Sequence, residues 1–210
     1  MGPAALAVLL VLRHLGLVAH VPLTVYLAVF AGMPAMSVFV ENFYLRNPTR
    51  VRLHLRVALH TGSVSLVIYL TGWGPVVTGA YAFVALENIA TSGSRTWRTA
   101  TFWSLLGLGI GQVGIAQGWV PSFLSVPRAE ALGVMGAFVL VFVIRMAGAT
   151  SQQKEEAETS LRTSEERFRS LVQNSSDTTL VLGPGGIVLY ASPATGSLLG
   201  REPEELLGRR

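Results

Sequence analysis

Residues 56–98 read RVALHTGSVSLVIYLTGWGPVVTGAYAFVALENIATSGSRTWR, two apolar runs at 56–72 and 76–92 hinged on Gly72-Trp73-Gly74-Pro75 and bounded at both ends by arginine. A helix of about 20 mostly apolar residues, at about 1.5 Å each, crosses a hydrocarbon core of about 30 Å. Each run approaches that length, and the turn between them is uncharged. Links rich in Lys and Arg are retained on the cytoplasmic side of a membrane. The stretch therefore predicts a membrane hairpin with its arginines inside and its Trp73-Gly74 turn outside.

The same pattern extends in both directions. Residues 4–40 are too long for one crossing, and Val21-Pro22 offers a break that gives helices near 4–20 and 22–40. Further apolar runs lie near 99–117 and 130–148. Residues 1–149 are thus expected to form a polytopic bundle of about six helices in the inner (plasma) membrane. Arg46, Arg50, Arg52 and Arg56 in segment 41–56, and Arg95 and Arg98 in segment 93–98, mark cytoplasmic links. Segment 118–129 has only Arg128, close to Glu130, and is expected outside. Arg145 and the polar C-terminal tail then fall in the cytoplasm. Trp73 and Trp119 suit the outer interface, and Trp97 and Trp103 the inner one.

Composition agrees with a lipid solvent: half the residues are hydrophobic and mean hydropathy is +0.50. Residues 1–149 carry nine Arg against three Glu, whereas residues 150–210 carry seven basic and nine acidic side chains. The net charge of +4 therefore comes from topology-setting links and does not argue for nucleic acid. Cysteine is absent, which excludes disulfides, thiolate metal sites and cysteine nucleophiles. Lys154 is the only lysine, and Ala, Gly and Val abound, a bias expected of a GC-rich bacterial genome. The first helix lacks the basic start of a signal peptide, and Arg13-His14 interrupts its apolar run.

Ionisable groups inside a membrane are site candidates by default. His60 and Glu87 lie nearly equidistant from the Trp73-Gly74 turn, so an antiparallel hairpin sets them at one depth near the cytoplasmic end. A His beside a carboxylate is suited to proton sensing or metal binding, and Asn88, Thr61 and Gln112 are possible contributors. The alternative is that Glu87, Asn88 and His60 simply meet headgroups and water near helix ends. Arg13, near the middle of the 4–20 helix, costs roughly 2.5–3.5 kcal/mol there. It is read as a functional charge, a snorkelling or inward-facing structural one, or the sign of a truncated or misassigned start. His14 and His20 have no metal-site spacing. Gly107, Gly109, Gly111 and Gly114 have neither a preceding strand nor a Lys and read as small-residue helix packing. No metal site, cofactor or catalytic residue is identifiable.

Residues 150–172 are charged, Glu-rich and free of Gly and Pro, which predicts a signalling helix leaving the membrane. Ala157, Leu161, Ser164, Phe168 and Leu171 recur at spacings of four, three, four and three, the seam of a two-stranded coiled coil, or the apolar stripe of a single solvated helix. Homodimeric pairing through this connector is expected. Thr179–Leu182 and Ile187–Ala191 flank Gly183-Pro184-Gly185-Gly186 and predict a β-hairpin. Ser192-Pro193 then supplies an N-cap and opening proline for a helix through Leu199, ended by Gly200. A second short helix starts at Pro203 and stops at Gly208.

This order resembles the N-terminal half of a PAS domain, a sensor family common in bacterial signalling. The resemblance rests on Ser164-Glu165-Glu166-Arg167-Phe168, Asn174-Ser175-Ser176-Asp177, Gly186-Ile187, Tyr190 with Ser192-Pro193-Ala194, Leu199-Gly200 and Pro203-Glu204-Glu205-Leu206-Leu207-Gly208. It departs from the family at Gly183-Pro184-Gly185, where an acidic residue is common. Residues 173–210 would be an incomplete α+β PAS domain, with the remaining strands expected after Arg210. The resemblance implies a membrane-bound sensor with an output domain in cis: a diguanylate cyclase, a cyclic-di-GMP phosphodiesterase, or the histidine kinase of a two-component system. No motif of those enzymes occurs in these residues, so the chain itself is expected to be non-catalytic. A transporter or channel, and a passive membrane and oligomerisation anchor, are the alternatives.

Overall fold

The computed structural model describes residues 2–174 and 178–209; Ser175–Asp177 of the tail motif lie outside the described residues. The chain is mostly helical and divides into two compact units, Met1–Gln153 and Lys154–Arg210. The first holds α1 (Gly2–His14), α2 (Leu23–Arg46), α3 (Arg50–Leu70), α4 (Gly79–Ser92), α5 (Trp97–Ala116) and the start of α6 (Val126–Asn174). Single 3₁₀ turns, Gly74–Val77 and Ser94–Thr96, precede α4 and α5.

Several boundaries differ from those read in the sequence. The first helix stops at His14 rather than near residue 20. Gly16, at φ +71°, lets Leu17 N donate to Leu12 O (2.8 Å) and Gly16 N to Arg13 O (3.0 Å), a Schellman termination that a β-carbon would strain. Arg13 therefore sits in a last helical turn, not mid-span. The second helix runs six residues beyond the expected 40, because nothing breaks it before Asn47-Pro48. The proline holds Asn47 extended, and Thr49 caps α3 by accepting from Arg52 N (3.3 Å). Glu41 and Arg46 thus lie on α2, and Arg50, Arg52 and Arg56 on α3, instead of in one loop. The span expected at 130–148 and the connector expected at 150–172 are one unbroken helix, α6.

α3 packs against α2, α4 and α5 around a core that includes Val57, Tyr69, Tyr81, Ala85, Leu108 and Ile144. Glycines admit the aromatic rings: a β-carbon at Gly111 would lie 1.9 Å from Tyr69 Cζ, and one at Gly107 would lie 2.5 Å from Ser65 Oγ. A β-carbon at Gly114 would lie 3.1 Å from Val120, whereas Gly109 faces open space, so Gly107, Gly111 and Gly114 form a packing stripe that Gly109 does not join. The polarity of this unit is inverted relative to a water-soluble domain. Phe39, Phe83 and Phe138 are 66%, 73% and 76% exposed, while Arg56, Thr61, Asn88 and Ser104 are at most 2% exposed. An outward apolar and inward polar arrangement suits a hydrocarbon solvent. Among the described residues, four helical segments, α2, α3, α5 with its preceding turn, and α6, are long and apolar enough to cross a membrane. α1 and α4, at 13 and 14 residues, are shorter.

The connections gather at two ends of this unit. Ala19 N donates to Thr71 O (2.9 Å), and Phe123 N donates to Gly72 O (3.0 Å). Trp73 Nε1 donates to Leu17 O (2.7 Å), and the Trp73 ring tilts on Phe123. Segments 15–22, 71–75 and 117–125 therefore share one end. Segments 47–49 and 93–96 lie at the opposite helix termini, with Arg46, Arg50, Arg52, Arg56, Arg95, Arg98 and Arg145.

In the second unit, β1 (Leu180–Leu182) and β2 (Val188–Ala191) form an antiparallel pair, irregular between Val181 and Leu182. Their turn closes through Gly183 N to Ile187 O (2.8 Å), with Gly185 and Gly186 at positive φ. α7 (Ala194–Leu199) ends at left-handed Gly200, and α8 (Pro203–Leu206) follows. Ser192 is not the N-cap expected of it. Pro193 stands at the cap position of α7, and the Ser192 hydroxyl instead accepts from Thr179 N (3.0 Å), while Ser192 N donates to Thr179 O (2.9 Å). The pairing prolongs the hairpin. Val188 also exchanges backbone hydrogen bonds with Gly208 and Arg209 (2.9 and 2.8 Å), so β2 has a second neighbour beyond β1.

Candidate functional site

The most elaborate polar arrangement in the bundle centres on Arg56, which is 2% exposed. Its Nε lies 2.8 Å from Glu41 Oε2, but the N–H is not aligned for a hydrogen bond, so the contact is an ion pair. One terminal nitrogen donates to Ser92 Oγ, the other to Thr91 Oγ1 (2.8 Å), and the guanidinium lies 5.1 Å from the centre of the Tyr44 ring. One side chain of α3 thus ties down the last turns of α2 and α4. A charge in this position is tolerable because it is paired and hydrogen bonded. Glu41 is 37% exposed, so the clasp is reachable from the surface.

The register of the α3–α4 hairpin follows from two contacts, Arg56 with Thr91 and Ser92, and Ser65 Oγ with Tyr81 Oη (2.8 Å). By that register His60 lies level with Glu87, one turn deeper than Arg56. The two are within electrostatic reach, as are Arg56 and Glu41. No hydrogen bond or ion pair joins His60 to Glu87: His60 Nε2 is buried without a partner, and Glu87 is exposed. Asn88 is fully buried; its Nδ2 donates to Val84 O (2.8 Å), and its Oδ1 has no partner. Thr61 Oγ1 is likewise buried and unpartnered. Gln112 stands apart from this layer, donating through Nε2 to Ala129 O (2.8 Å) and binding α5 to the first turn of α6.

Arg13 is at the other end of the unit. It donates to Val21 O and lies 5.8 Å from the centre of the Tyr26 ring, whose hydroxyl donates to Leu70 O (2.8 Å). It staples the α1–α2 link. Arg56 and Glu41 are the residues that sequence reading missed as a site, having taken Arg56 only for a topology marker. The signal was present: the mirror about Trp73-Gly74 that sets His60 level with Glu87 also sets Arg56 level with Thr91 and Ser92.

Leu161, Phe168 and Leu171 of the connector seam are 63%, 66% and 72% exposed in the single chain. The last turns of α6 and the hairpin border an open groove of about 590 Å³ lined by Glu165, Phe168, Arg169, Val172, Val181 and Tyr190. No group of three or more His, Cys, Asp or Glu able to hold a metal ion occurs among the described residues.

No curated protein and no solved structure matches this chain. A family model described as the PAS fold matches residues 166–210. Long apolar helices that suggest membrane association are thus followed by a segment similar to the PAS fold, which suggests a sensory or signalling role.

Proposed function

We propose that the chain is the input part of a membrane-bound sensor. In this reading α1 and α4 complete six crossings of the inner membrane, and the bundle responds to a signal in or across the bilayer. α6 passes the response to a cytoplasmic PAS-type module and to an output domain in cis. The chain itself is non-catalytic and pairs as a homodimer along Ala157, Leu161, Ser164, Phe168 and Leu171. The observation that carries the reading is the continuity of α6. It is apolar from Ala131 through Ile144 and densely charged from Lys154 onward, and it remains one helix to Asn174, inside the segment that matches the PAS family. The Arg56 clasp supplies a joint between helices whose making or breaking is a candidate for the sensed change. A two-state element of this kind is what a relay requires.

The absence of cysteine permits a direct test on the full chain in membranes. Ser164→Cys is oxidised with and without Arg56→Gln, and the rate of cross-linking between copies is measured. A relay gives a rate that changes when the clasp is opened. Equal rates in two equally inserted proteins would identify the bundle as a passive anchor, and the absence of any cross-link would remove the dimer. Flux of a solute through vesicles containing the protein would favour the transporter reading.

A further inference from the structure

Two cations share one ring at the arginine-rich end of the bundle. The Trp97 ring centre lies 4.8 Å from the guanidinium carbon of Arg145 and 5.6 Å from that of Arg98. Trp97 is itself wedged against α6, where a β-carbon at Gly148 would lie 2.8 Å from its side chain. Both arginines are exposed, and no ion pair reaches either among the described residues. The other arginines that lie over rings in this unit each have a further partner: Arg56 has Glu41, Arg52 donates to Phe43 O (3.0 Å), and Arg13 donates to Val21 O. One turn before Arg145, on the same face of α6, Phe142 is 65% exposed.

We infer that Arg98, Arg145 and Trp97 form a binding site for the headgroup of an anionic phospholipid. The two guanidinium groups are separated by no more than their summed distances to the ring, a span that a phosphoglycerol headgroup bridges. Guanidinium forks recognise phosphate oxygens by paired hydrogen bonds. An indole favours the headgroup depth, and the outward Phe142, one turn deeper, offers an apolar bed for the acyl chain. Charge complementarity selects the ligand, because no carboxylate competes for either arginine. The site spans the start of α5 and the point on α6 five residues before Thr150, so an occupied site would bias the helix that leads into the connector.

This inference rests on the bundle lying in a bilayer. The full chain in detergent is titrated with phosphatidylglycerol, phosphatidylcholine or inorganic phosphate, and bound lipid is counted by native mass spectrometry. Phosphatidylglycerol is expected to bind in preference to phosphatidylcholine. Arg98→Gln or Arg145→Gln should weaken it about fivefold each, and the double variant about thirtyfold. Arg46→Gln with Arg50→Gln should leave it unchanged. Equal loss in that control would mean a diffuse basic surface and would overturn the site, as would displacement of the lipid by inorganic phosphate. If the double variant does not fold, a chain with Trp97 as its only tryptophan reads the site directly. Brominated phosphatidylglycerol must then quench it more than brominated phosphatidylcholine, and equal quenching overturns the proposal. Carbonate extraction separates the two claims: a chain released into the aqueous fraction refutes the membrane reading, whereas an inserted chain without lipid preference refutes only this site.

Discussion

At the scale of single residues, Arg56 and Glu41 are a matched pair, and the cost of one without the other follows from solvation. Leaving a buried charge unpaired typically costs about 3–5 kcal/mol, whereas replacing both members with apolar groups is often close to neutral. Glu41 retains solvent contact, so the loss falls at or just below the lower end of that range. Glu41→Leu alone should therefore lower stability by about 2–3 kcal/mol, and Glu41→Leu with Arg56→Met should recover most of the loss. Unfolding of the detergent-solubilised chain followed by circular dichroism measures both. Additive effects would show that the two residues do not act as a pair. Arg56 illustrates what a sequence shows and hides. Its depth was legible from the hairpin mirror, but four arginines within eleven residues all read as topology signals, and charge counting does not reveal which one faces inward. The helical extension to Arg46, which presents Glu41 to it, became plain only with the stop at Asn47-Pro48. His60 and Glu87 show the converse. The mirror placed them at one depth, yet depth does not fix azimuth on a helix, and Glu87 turns outward from the stripe that buries Tyr81, Ala85, Asn88 and Ile89.

At the scale of elements, the connector carries the sharper consequence. Leu161, Phe168 and Leu171 are large, apolar and well exposed, and their four-three spacing places them on one face of α6. Exposed apolar side chains on a solvated helix are stabilised when a second copy covers them. Burying a leucine is worth about 1.5–3 kcal/mol. Leu161→Glu, which puts like charges opposite each other in a symmetric pair, should then weaken dimerisation by at least about tenfold, measured by sedimentation of the detergent-solubilised chain. An unchanged association constant would assign the seam to another surface. The helix was readable from residues 150–172, because a run without Gly or Pro offers the chain no alternative. The tail was legible for similar reasons: glycines at the hairpin turn and after α7 and α8 punctuate it where positive φ occurs. The Ser192 assignment failed because a serine before a proline serves a cap or a strand extension equally well, and the partner that decides, Thr179, is 13 residues away.

At the scale of the whole bundle, the side of the membrane on which each end lies can be argued from geometry and charge together. α4 is short for a crossing, yet the α3–α4 register returns the chain from the Trp73 end to the level of Arg56, so α4 and its 3₁₀ turn traverse the same depth as residues 56–70 of α3. That preserves the alternation. Were α4 not to cross, segments 47–49 and 93–96 would fall on opposite sides, and one group of arginines would face outward. With it crossing, seven of the nine arginines in residues 1–149 share one end, and only Arg13 and Arg128 lie at the other. By the positive-inside rule, the orientation proposed above puts the seven, with the tail, in the cytoplasm. The cysteine-free sequence makes this measurable with single reporters at exposed positions. Gln117→Cys should react with a membrane-impermeant maleimide in intact cells, whereas Asn47→Cys and Ser160→Cys should react only after the cells are permeabilised. Labelling of both Gln117→Cys and Asn47→Cys, but not Ser160→Cys, in intact cells would mean that α4 does not cross, and labelling of Asn47→Cys and Ser160→Cys without Gln117→Cys would invert the orientation. Either result would move the PAS-like segment's input or its compartment, and with it the direction in which α6 could carry a signal.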